Sequence, residues 1–161
     1  MQKINQKYIT SVVKKALLED ISPKGDITTN LINTKNKIIK AKIIAKQNGI
    51  ISGLNFCKTA FKLIGKETVF RSKIQDGRRV KKNKVIAEIK ARTQTILIAE
   101  RTALNFLNHA SGISTLTNKF VKKIKKKSKI CCTRKTTPNL RLLEKYAVKK
   151  GGGHNHRYNL S

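Results

Sequence analysis

The sequence predicts a mixed fold, α+β over most of its length and α/β at its end, and three observations predict it. Segments with apolar residues every three or four positions take turns with short segments in which apolar and polar residues alternate. After Ile130 the order becomes apolar stretch, loop, helical run and glycine-led stretch, the rhythm of a parallel β/α structure. The chain has 161 residues and is 39% apolar, which allows a real core and argues against wholesale disorder.

In chain order, residues 8–18 place Ile9, Val12, Val13, Ala16 and Leu17 at helical spacing, with a stop expected at Ser22-Pro23 and Gly25. Residues 37–46 are rich in isoleucine and read as a strand followed by a turn at Asn48-Gly49. Residues 53–64 read as a helix with Leu54, Cys57, Ala60, Phe61 and Ile64 on one face. A turn at Asp76-Gly77 precedes short strands through Val80 and the alternating Val85, Ala87 and Ile89. Residues 95–126 are again helical, with a break expected near Ser111-Gly112. Two core stripes are expected on them, one of Ile98, Phe106 and Leu107 and one of Phe120, Val121 and Ile124. Residues 140–147 form the last helical run, and a domain boundary is placed near Gly112, giving units 1–112 and 113–161.

The net charge of +29 invites a nucleic-acid or anionic-membrane reading. Lysine outnumbers arginine by 29 to 8, whereas base-reading proteins rely on the bidentate arginine fork. The lysines are spread over nearly the whole chain, with one dense run at residues 122–129 that reads as solvated surface. Lys, Ile and Asn together make 62 residues, and all three use A/T-rich codons, so codon bias accounts for the excess and no specific nucleic-acid partner is expected. No stretch approaches the roughly 20 apolar residues of a membrane span, so no membrane partner is expected either. Residues 1–10 lack the apolar segment of a signal peptide. Three cysteines without metal-site spacing, Cys57, Cys131 and Cys132, read as free thiols of a cytoplasmic protein.

Three segments concentrate cations: Glu100-Arg101-Thr102 to Leu107 on a helix, Thr133-Arg134-Lys135-Thr136-Thr137-Pro138 at a strand end, and Gly151-Gly152-Gly153-His154-Asn155-His156-Arg157. In a β/α layout the last two lie at neighbouring strand ends, so Arg134, Lys135, His156 and Arg157 would converge. Like charges gather only around a balancing anion, since unpaired buried charge is costly, and planar guanidinium forks suit carboxylates and phosphates. Plainer readings stand beside this one. The basic tetrad also fits an exposed loop, and the three glycines fit a flexible linker or a phosphate-binding nest. His154 and His156 share a strand face but have no third metal ligand nearby, and His109 reads as a half-exposed helix residue. Residues 76–91 are reminiscent of carrier-domain hairpins but lack a lysine at a tight turn.

Taken in order, these segments resemble the quinolinate phosphoribosyltransferase family. The resemblance rests on Glu19-Asp20, Gly25-Asp26-Ile27-Thr28-Thr29, Gly49 to Gly53, Asp76-Gly77, Glu100-Arg101-Thr102-Ala103-Leu104-Asn105 and Ser111-Gly112-Ile113. It continues through Thr133-Arg134-Lys135-Thr136-Thr137-Pro138, Leu140-Arg141, Lys145-Tyr146-Ala147-Val148 and Gly151-Gly152-Gly153 to His156-Arg157. It implies an N-terminal α/β sandwich followed by the first part of a parallel β/α barrel. It implies conversion of quinolinate and phosphoribosyl pyrophosphate to nicotinate mononucleotide, carbon dioxide and pyrophosphate, with Mg2+, in NAD biosynthesis. A homodimer is implied, with Arg101 reaching into the neighbouring subunit's site, Arg134, His156 and Arg157 holding quinolinate's carboxylates, and Lys135 as the catalytic residue beside the reacting groups.

Two residues depart from the pattern: Cys132 stands where the family places Asp, and Asn139 where Gly commonly follows Pro. After Glu100 the only carboxylate side chain is Glu144, and the family's later Lys and acidic magnesium ligands do not occur. The sequence is therefore expected to be a fragment, inactive alone. The alternatives are an inactive dimerising remnant, the molybdenum-transport-associated homologue of the same fold, and, third, a nucleic-acid binder.

Overall fold

The structure is a computed structural model that describes residues 4–21, 37–124 and 128–160. The expected stop at Ser22-Pro23 and Gly25, the motif at residues 25–29 and residues 125–127 of the lysine run lie outside the described residues.

Helix α1 (Gln6–Asp20) begins where the Asn5 side chain accepts from the Lys7 amide at 2.8 Å, satisfying one of the free amides of the first turn. It buries Ile9, Val13 and Leu17, each one turn beyond the last. Strand β1 (Ile38–Ile44) follows, then β2 (Gly49–Ile50), helix α2 (Leu54–Ile64), and strands β3 (Val69–Ser72), β4 (Arg79–Val80) and β5 (Val85–Arg92). Strand β5 is central in an antiparallel sheet of order β1-β5-β3, with Ile38 opposite Arg92 and Val69 opposite Lys90; β2 and β4 form a separate antiparallel pair. Ile86, Ala87, Ile89 and Ala91 of β5 are buried. They join Phe56, Cys57, Ala60 and Phe61 of α2 in one core, so the sheet and the helices make the two layers of an α/β sandwich.

Helix α3 (Thr93–Lys123) runs unbroken for 31 residues, roughly 45 Å at the usual rise. The break expected near Ser111-Gly112 does not occur. Ser111 spends its hydroxyl on the Ser52 backbone, accepting from the amide at 3.0 Å and donating to the carbonyl at 3.2 Å, while Gly112 faces open space. Packing against α2 outweighs the weak helix propensity of this pair. Phe106 and Leu107 are core as expected, whereas Ile98 is only half-buried and Phe120 is 50% exposed. The buried positions of the last turns are instead Ser114 and Thr117, because the glycines beyond α4 (Arg141–Lys150) close on them. A Cβ on Gly151 would stand 2.4 Å from the Ser114 carbonyl oxygen, and one on Gly153 would stand 2.8 Å from Thr117 Cγ2. Gly151 and Gly153 are therefore contact residues of a packed helix pair, and the flexible-linker reading is overturned.

Two further expectations need correcting. The bend after β1 falls at Lys46 and Gln47, so Gly49 opens β2 and does not turn a hairpin. Strand β3 was not foreseen. It is an edge strand, three of whose four residues are exposed, so no buried face imposes an alternating pattern. Asn139 adopts φ +64°, the left-handed conformation in which asparagine is the best tolerated residue after glycine.

Candidate functional site

The two basic loops are brought together by backbone pairing. Cys131 and His154 form a parallel bridge; the Cys132 amide donates to the His154 carbonyl at 2.9 Å and the His154 amide to the Ile130 carbonyl at 2.8 Å. Both segments then leave the bridge in the same direction, carrying Arg134 and Lys135 on one and His156 and Arg157 on the other. What was expected as two strands is reduced to this one bridge, with α4 as the connecting helix.

Arg134 is half-buried, and its Nε is fully buried with no acceptor among the described residues. A guanidinium N–H in that position costs free energy until an acceptor meets it. Lys135 is exposed, in a turn whose amide donates to Thr133 Oγ1 at 3.1 Å. His156 and Arg157 are exposed, with Arg157 Nη1 donating to the Leu160 carbonyl at 3.1 Å. Arg101 is carried by a different element, at an exposed position of α3. Its neighbours Thr102, Asn105 and His109 line a cavity of about 410 Å³ with Glu19 and Asp20, where Thr102 Oγ1 donates to Asp20 Oδ2 at 3.5 Å. Cavities of about 610 and 820 Å³ lie against the three-stranded sheet, and no candidate residue lines either.

Lys145 escaped the sequence reading. It is 0% exposed on α4, and its Nζ donates to Cys132 Sγ at 2.9 Å and to the His156 carbonyl at 3.1 Å, 4.9 Å from the centre of the Tyr158 ring. A lysine on a basic helix ordinarily reads as solvated surface. The available signal was its place between Leu143 and Ala147, both fully buried. Arg141, one turn earlier, donates from Nε to Thr136 Oγ1 at 3.1 Å and from Nη1 to the Tyr158 carbonyl at 3.0 Å.

The one nearby carboxylate is already engaged. Glu144 Oε1 lies 3.0 Å from His109 Nε2, and Oε2 accepts from the Thr137 amide at 3.2 Å. Its charge, after burial, helps hold the Tyr8 phenol above its ordinary range, and Tyr8 donates to the Asn139 carbonyl at 2.7 Å. Arg134, Lys135, Arg141, Lys145 and Arg157, carried on the paired loops and α4, form no ion pair with a protein carboxylate among the described residues. Among the described residues no three His, Cys, Asp or Glu side chains gather to hold a metal ion.

Residues 26–111 match the quinolinate phosphoribosyl transferase N-terminal domain, and residues 113–161 match the C-terminal domain of the same family. The chain belongs to the quinolinate phosphoribosyltransferase family. Among its relatives in that family, the probable nicotinate-nucleotide pyrophosphorylase [carboxylating] of Bacillus subtilis is 39% identical over 98% of this chain and 54% of its own length. The protein of the same name from Methanocaldococcus jannaschii is 42% identical over 95% of this chain and 53% of its own. Among solved structures, NadC from Streptococcus pyogenes superposes with a TM-score of 0.92 at 40% identity, covering 98% of this chain and 57% of that one. The chain therefore spans just over half the length of the quinolinate phosphoribosyltransferase relatives it matches. No helix among the described residues is long and apolar enough to cross a membrane.

Proposed function

We propose that this chain supplies the quinolinate-binding half of a quinolinate phosphoribosyltransferase, which makes nicotinate mononucleotide from quinolinate and phosphoribosyl pyrophosphate with release of carbon dioxide and pyrophosphate. The observation that carries the reading is the parallel bridge that sets the loop of Arg134 and Lys135 beside that of His156 and Arg157, with Arg134 half-buried and its Nε without an acceptor among the described residues. In this reading Arg134, His156 and Arg157 take the two carboxylates of quinolinate, and Lys135 stands beside the reacting atoms. The pyridine nitrogen attacks the anomeric carbon as pyrophosphate leaves. Fixed cations lower the energy of a complex that carries two carboxylates, a phosphate and a departing pyrophosphate. Carbon dioxide is then lost next to the quaternised ring nitrogen, which receives the electron pair. Arg101, exposed on α3 and remote in role from these loops, belongs to a second copy's site in a cytoplasmic homodimer. Mg2+ would serve the pyrophosphate, but the described residues assemble no set of ligands for it.

Calorimetry on the chain tests this directly. Quinolinate is expected to bind, and Arg134→Ala to weaken it by about 1.5–3 kcal/mol, roughly 10- to 100-fold. Equal binding by variant and parent would remove Arg134 from the site.

A further inference from the structure

Helix α4 carries two cations one turn apart, and each is bonded to both basic loops. Lys145 joins Cys132 Sγ of the first segment to the His156 carbonyl of the second. Arg141 joins Thr136 Oγ1 of the first to the Tyr158 carbonyl of the second. The four bonds bracket the candidate residues: Cys132 and Thr136 flank Arg134 and Lys135, while His156 and Tyr158 flank Arg157. The backbone bridge fixes the two segments where both loops begin, through Ile130 to Cys132 on one and His154 on the other. Cys132 Sγ adds a weak contact to Asn155 Oδ1 at 3.6 Å.

We propose that Arg141 and Lys145 are positioning residues that clasp the two loops at a fixed separation, and that this separation selects a ligand bearing two carboxylates over one bearing a single carboxylate. The inference rests on the quinolinate reading above. A dicarboxylate gains from two cation sets only when their spacing is fixed beforehand, since mobile loops lose entropy on closing around it. A monocarboxylate engages one set and is indifferent to the spacing. Lys145 suits the task because it lies wholly inside and cannot itself reach a ligand held by the exposed loop residues. Its partners are a sulfur, a carbonyl and an aromatic face, so among the described residues its charge has no carboxylate partner and adds to the positive field of the site.

The test compares quinolinate with nicotinate, which keeps the ring and one carboxylate, by calorimetry on the chain and on Arg141→Gln and Lys145→Met. The parent is expected to prefer quinolinate, and each variant to lose roughly tenfold of that preference while nicotinate affinity changes little, tenfold being what one well-placed charge-assisted bond is worth. Should Lys145→Met not fold, Arg141→Gln carries the test alone, because Arg141 is only half-buried. A folded Arg141→Gln with the parent's ratio overturns the proposal, since a purely structural role moves stability and leaves the ratio alone. A parent that binds neither acid overturns the quinolinate reading, and the ligand-selecting part of the proposal with it. The clasp is then judged on the backbone amide resonances of Thr133, His156 and Arg157 in Arg141→Gln: displaced signals support it and unmoved ones overturn it.

Discussion

The sandwich and the paired loops are held together in different ways. Around α2 and β5 the fixing groups are apolar: Phe56 lies 5.4 Å from Phe106 ring to ring, Phe61 lies 6.1 Å from Phe70, and Cys57 and Ala60 are fully buried. Around residues 130–160 Leu143 and Ala147 seat α4 in that core, but the loops themselves are fixed by polar groups and close backbone contact: one backbone bridge, two helix cations, a glutamate shared by His109 and Thr137, and glycines that let the α4 end press on α3. Apolar packing tolerates small shifts in the position of a loop. Charge-assisted bonds hold donor and acceptor to a few tenths of an ångström, which is what a small charged ligand requires. The first region supplies stability and the second supplies placement.

The contrast can be broken most severely at Phe56. Phe56→Ala removes a ring that is 1% exposed and should cost about 3–5 kcal/mol, read as a large drop in the denaturation midpoint. A Gly151→Ala change should cost about 1–3 kcal/mol, because the new methyl meets the Ser114 backbone and α4 must move. Unlike Phe56→Ala, it should also lower quinolinate affinity in the protein that remains folded. A Gly151→Ala chain that binds normally would show that the α4 position does not set the loops.

Asp76 joins the two regions, accepting from the Gly53 and Leu54 amides at the start of α2 and from Tyr146 of α4 at 2.8 Å. Tyr146→Phe should cost about 0.5–1.5 kcal/mol. Burial first, then the Asp76 charge and hydrogen bond, raise the Tyr146 pKa well above its ordinary value of 10.0. The unfolded phenol ionises near 10.0 and the folded one only at higher pH, so this contribution is complete below 10.0 and is lost as pH climbs from there through the folded pKa. Parent stability should therefore fall in alkali more steeply than that of Tyr146→Phe, as thermal scans across that range would show. The smallest effect is expected at the exposed pair Lys73–Glu88, 2.8 Å apart. The Lys73 hydrogen bond lowers the Glu88 pKa below 4.5, so its small contribution is present above that pH and lost as pH falls below it. Glu88→Gln should match the parent in acid and differ from it only slightly at neutral pH.

Helices α1, α2 and α4 and strand β5 were legible because each turns a periodic apolar face to the core, and strand β1 because it is rich in β-branched isoleucine, although only Ile43 of its side chains is buried. Strand β3 was not, since Val69 and Arg71 face solvent on an edge. The continuity of α3 through Ser111-Gly112 was not either, because the partner that makes Ser111 useful, Ser52, lies 59 residues away. In the paired loops the residue types were legible and the wiring was not. Nothing local in Arg141 or Lys145 says that a helix cation will face inward onto a sulfur or a carbonyl.

The unbroken α3 has a further consequence for anyone who divides this protein. The two family matches meet at Gly112, which lies well inside the helix. A cut there would strip about four carbonyls from one piece and four amides from the other of their helical partners. It would also part Ser111 from Ser114, which hold α2's approach and α4's end respectively. Amide exchange along α3 should consequently report a single opening event for both halves, and a protease should find no entry near Gly112 until the whole rod melts.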